Sequence, residues 1–138
     1  MSDNARHAAE YFLSGLYCSQ AVLGAFCEGY GLDKGAAFSI ACGFGSGARC
    51  SELCGAVSGA IMVIGLKFGD DQKMCNAETE AFVESFKDAN KSVICRDILG
   101  CDISTPDGRQ IAVDSNLFRT RCVDIVKCAA QILADSGY

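Results

Sequence analysis

Apolar residues recur along this chain at helical spacing. From Asn4 to Leu16, the residues Ala8, Ala9, Phe12 and Leu13 share one face, and Gly15 marks an end. A second helix is predicted from about Cys18 to Glu28, with Ala21, Val22, Ala25 and Phe26 turned inward. Gly29 and Gly31 bracket a turn before a short helical stretch, Lys34 to Cys42. A glycine turn, Gly43 to Gly47, then leads into a long apolar helix of roughly Glu52 to Phe68. Gly69-Asp70-Asp71 breaks it. The next helix, from about Asn76 to Lys91, places Ala77, Ala81, Phe82 and Phe86 on its buried stripe. A short helical turn, Cys95 to Leu99, stops at Gly100. Asp102 to Arg109, with Pro106-Asp107-Gly108, reads as the clearest loop. The last helix starts with Asp114 or Ser115 as cap and runs to about Ala134, turning Leu117, Val123, Val126, Ala130 and Leu133 inward. No alternating strand pattern of useful length and no internal repeat is found. The expected fold is all-α. Residues 1–138 are expected to form a single compact bundle of about five to six helices, with a glycine-rich turn before the central helix.

The stretch from Ala41 to Gly69 organises the rest. Ser51 is the expected N-cap of the central helix, which puts Glu52, Leu53 and Cys54 in its first turn. Free backbone N–H groups and the positive end of the helix dipole favour an anion there. A thiolate is an anion, so the pKa of Cys54 is expected to fall. Small residues follow, from Gly55 to Ala60, and would let another backbone or an inorganic group come close.

Composition narrows the class. A hydrophobic content of 50% with one proline suits a compact helical globule. Asp and Glu number 17 against 12 Lys and Arg, a net charge of −5 with no basic block, which disfavours nucleic acid and anionic membrane as partners. The apolar run Leu53–Leu66 ends at Lys67 and is too short to span a bilayer. The start, MSDNARHAAEYF, carries charges and no apolar h-region, so a reducing, cytoplasmic setting is expected. There, ten cysteines point to metal or redox chemistry before structural disulfides.

The cysteines stand at positions 18, 27, 42, 50, 54, 75, 95, 101, 122 and 128, and no C-x-x-C occurs. That excludes a thioredoxin-type dithiol, a zinc ribbon, the usual ferredoxin run and c-type haem attachment. With His7 as the single histidine, mixed His/Cys ligation is disfavoured. Gly43, Gly45 and Gly47 lack a P-loop lysine and a preceding strand, so a nucleotide cradle is disfavoured too. A site assembled from distant cysteines remains. Zinc, Cu(I), an iron–sulfur cluster and a reversible disulfide all fit, and spacing does not choose among them.

Tyr17-Cys18-Ser19-Gln20-Ala21-Val22, Cys54-Gly55-Ala56-Val57-Ser58-Gly59, Cys95 ahead of Arg96-Asp97-Ile98-Leu99-Gly100, and Cys122 ahead of Val123-Asp124 follow one order. Nearly the whole chain thereby resembles the family of redox-active proteins whose pattern is written C…GCAxxG…C…C, a family related to the non-haem part of split-Soret cytochrome c. The resemblance implies a redox or electron-transfer role and the signature set Cys18, Cys54, Cys95 and Cys122. On this basis the expected cofactor is an iron–sulfur cluster of unspecified type. Its ligands would be those four cysteines, with Cys50 as a fifth candidate and Gly55 and Gly59 giving close approach. Arg49 and Arg96 are candidates for offsetting thiolate or cluster charge, and no catalytic residue is assigned. Alternatives are a metal-free thiol–disulfide oxidoreductase with Cys54 as attacking thiolate, and a non-catalytic zinc or copper module. A redox role calls for a partner protein that the sequence does not identify, and a homodimer is compatible with the composition. Cys101 could fold back toward Cys95, while Cys27, Cys42, Cys75 and Cys128 are expected in the core or incidental.

Overall fold

The computed structural model describes the whole chain from Met1 to Tyr138 as an all-α fold. Eight helices follow in order: α1 (Asp3–Leu13), α2 (Cys18–Phe26), α3 (Lys34–Ala41), α4 (Gly55–Phe68), α5 (Gln72–Asn90), α6 (Cys95–Leu99), α7 (Pro106–Asp114) and α8 (Arg121–Asp135). No helix is long and apolar enough to cross a membrane.

The helix count exceeds the expected five to six mainly because Pro106-Asp107-Gly108 starts a helix. Thr105 caps α7, accepting the Gly108 N–H at 3.0 Å, and Pro106 occupies the first turn, where its missing N–H costs nothing. The final helix therefore begins at Arg121, past a short 3₁₀ turn, and not at Asp114 or Ser115. In α5 the buried stripe is Phe82, Phe86 and Asn90, whereas Ala77 and Ala81 face solvent.

Helix α2 packs on α4 and α1, α1 lies against α8, and α5 closes over α4 and α8. Their shared core includes Val22, Leu23, Val57, Ile64, Phe86, Val126 and Leu133. Fully burying a side chain of this kind stabilises by about 1.5–3 kcal/mol. The α2–α4 approach depends on Gly59, where a Cβ would stand 2.6 Å from the Ser19 carbonyl oxygen and 3.2 Å from Val22 Cβ. A second, smaller cluster joins Cys95, Ile103 and Ala112 with Leu99, Leu117 and Phe118. The seam between the two clusters is where the candidate site lies.

Candidate redox centre

Each of the four signature cysteines stands at the N-terminal end of a helix. Cys18 opens α2, Cys54 is the residue before α4, Cys95 opens α6, and Cys122 is in the first turn of α8. All four border one cavity of about 300 Å³, together with Gly55, Ser46 and a mainly apolar wall.

Local bonding explains the placement. The Tyr17 N–H donates to Gln20 Oε1 at 2.8 Å, Gln20 Nε2 donates to the Phe38 carbonyl at 2.9 Å, and Ser19 Oγ donates to the Ala41 carbonyl at 2.8 Å. The start of α2 is thereby tied to α3, and Cys18 is held. Cys54 and Cys95 are clipped by a short antiparallel contact, Leu53 opposite Ile94. In it the Cys54 N–H donates to the Val93 carbonyl at 2.7 Å and the Cys95 N–H to the Glu52 carbonyl at 2.6 Å. Gly55 completes the seat. Any Cβ there would run into the Cys18 sulfur and stand 3.0 Å from the Phe44 carbonyl oxygen.

Ser51 is not the cap of α4. It has φ 55°, is buried, and its Oγ accepts the Ser104 N–H at 3.2 Å, leaving the cap position to Cys54 itself. The cause is a left-handed turn just upstream, with φ values of 55°, 61°, 56° and 67° at Ser46, Gly47, Ala48 and Arg49. Arg49 Nη1 and Arg109 Nη2 both donate to Ser46 Oγ, at 3.1 and 3.2 Å. The turn presents Ser46 to the cavity and carries Cys50 outward, where the exposed thiol donates to the Gly47 carbonyl. Cys50 therefore does not border the cavity. Gly59 does not either; its contacts are with α2.

The expected fall in the Cys54 pKa is reversed. Burial pushes it well above 9.0, and a charge on Cys18 raises it further, against backbone N–H groups of Ala56 and Val57 that favour the thiolate. Cys18 is raised by burial, though four backbone amides, of Cys18, Ser19, Ser46 and Ala56, act in the other direction. Cys95 and Cys122 are each pushed up to about 12, by burial first and then by Cys18. The four thiols thus sense one another across the cavity, and as bare thiols they hold their protons. Cys101 is close enough to influence both Cys95 and Cys122. Cys27 is core, Cys75 and Cys128 are half-buried outside the cavity, and Cys42 is exposed.

Sequence reasoning missed Arg109, Arg119 and Ser46, all of which border the cavity. Arg109 fell in the stretch read as a loop, and nothing in the spacing singles out the other two. Arg96 offsets no sulfur directly: its Nη1 pairs with Glu52 Oε1 at 2.6 Å and donates to the Ser51 carbonyl at 3.2 Å.

The fold is an all-helical domain that brings four thiols from four helices to the border of one cavity. The chain belongs to the family described as "Putative redox-active protein (C_GCAxxG_C_C)", whose model matches residues 16–136 and so spans all four cysteines. No curated protein and no solved structure matches it.

Proposed function

We propose that Cys18, Cys54, Cys95 and Cys122 ligate an iron–sulfur cluster and that the protein transfers electrons through it. The observation that carries this reading is the convergence of four helix-initial cysteines on a single cavity. The donor set fits such a group. Four thiolates are the soft ligands that iron–sulfur clusters require, and the ligated cluster is an anion, which helix N-termini favour.

One feature weighs against a metal-free exchanger: the raised pKa values make bare thiols poor nucleophiles at neutral pH. Such a cluster would supply one-electron acceptance and donation. The chain's part is to hold the sulfurs, direct the amides of Ser19, Ser46 and Ala56 at the Cys18 sulfur, and exclude water with its apolar wall.

Anaerobically purified protein is expected to be brown and to contain iron and acid-labile sulfide. Cys→Ser at any of the four positions should abolish the colour, while Cys50→Ser should keep it. Colourless protein whose thiol count changes reversibly on mild oxidation would make it a thiol–disulfide oxidoreductase. Stoichiometric zinc or copper without sulfide would make it a metal-binding module.

A further inference from the structure

The cysteines line only part of the cavity. The remainder is bordered by Phe12, Leu16, Ile103 and Phe118 and by Arg109 and Arg119. Neither arginine is paired with a carboxylate; in the whole chain only Arg6, Lys34 and Arg96 are. Neutral contacts hold Arg109: it donates to Ser46 Oγ, and its Cζ stands 5.6 Å from the centre of the Phe118 ring. Arg119 borders the cavity and is exposed. Every arginine but Arg6 gathers at this end. Arg49 shares Ser46 Oγ, Arg96 follows Cys95, and Arg121 lies beside Cys122.

We propose that this half of the cavity binds a small organic carboxylate, its oxyanion on Arg109 and Arg119 and its apolar body against Phe12, Leu16 and Phe118. Guanidinium groups make charge-assisted, often bidentate bonds to carboxylates, and apolar walls weaken the screening that water would impose. The whole cavity is about 300 Å³ and a cluster would take part of it, so the carboxylate must be small. As a statement about a substrate the proposal rests on the redox reading. As a statement about binding it rests on the cavity and the two arginines alone.

The test therefore uses reduced, metal-free, full-length protein, with benzoate as probe and neutral benzamide as its control, followed by two-dimensional amide NMR. Benzoate is expected to shift the Ser46, Phe118 and Arg119 amides saturably, and benzamide to leave them unmoved. Arg119→Gln should weaken benzoate about tenfold or more while the rest of the spectrum stays in place, and Arg119→Lys should recover part of the affinity. Arg109→Gln should weaken it as well. Absence of benzoate binding, equal binding of benzamide, or full affinity in Arg119→Gln would overturn the proposal. If Arg119→Gln instead shifts only the reduction potential of iron-loaded protein, the arginines offset sulfur charge and bind no carboxylate. Colourless protein without iron would sink the cluster reading and leave the benzoate result standing.

Discussion

A thiol at the start of a helix is pulled in two directions, and Cys54 shows which prevails. Amide N–H groups favour its thiolate, but loss of water around the sulfur counts for more. The same holds at Cys95 and Cys122, where burial is the largest cause of a rise to about 12. With folded-state values above the ordinary 9.0, the folded metal-free protein keeps protons that the unfolded chain releases between about pH 9 and 12. Its stability is therefore intact below about pH 9 and falls as pH rises through that window. Urea midpoints of the reduced, metal-free protein should drop between about pH 8.5 and pH 10.5, and the Cys95→Ser/Cys122→Ser double variant should drop less. An equal drop in both would show that other groups carry the effect. The place of Cys54 at a helix start was legible in the sequence; its burial was not, because it comes from residues far along the chain. Arg119 was illegible for the same reason.

Among the elements, α4 is the one that others are fitted to, and its first turns are bare on the side that meets α2. Gly55→Ala would set a methyl group on the Cys18 sulfur, and Gly59→Ala one on the Ser19 carbonyl. Overpacking of this kind costs about 1–3 kcal/mol, so both variants should lower the urea midpoint. Only Gly55→Ala should also lose iron, since it alone crowds a proposed ligand, Cys18. Equal iron content in the two variants would refute the role given to Gly55. The helices themselves could largely be read from periodicity: α2, α3, α4 and α6 fall within a few residues of expectation. The segment Asp102–Arg109 could not, because proline and glycine there were taken as breakers when Thr105-Pro106 is a start signal. The start of α4 slipped because Ser51, a good cap by type, is held in a left-handed conformation and spends its hydroxyl on Ser104.

At the scale of the molecule, the candidate site lies between two hydrophobic clusters and takes its four cysteines from four elements that are distant in sequence. Spacing could only say that no local motif existed; the family pattern said which cysteines belong together, and the fold shows them on one cavity. That cavity also depends on the turn Ser46–Arg49, which coils against the natural hand of L-residues. Each such non-glycine residue costs roughly 1–2 kcal/mol. A segment of this sort depends on its neighbours for its form, and it is expected to be among the first to open locally. Amides from Ser46 to Ser51 should thus exchange with deuterium well before those of α2 and α4, and slow markedly once iron is bound. Exchange as slow as that of α4 in metal-free protein would mean that this wall of the pocket is rigid on its own account.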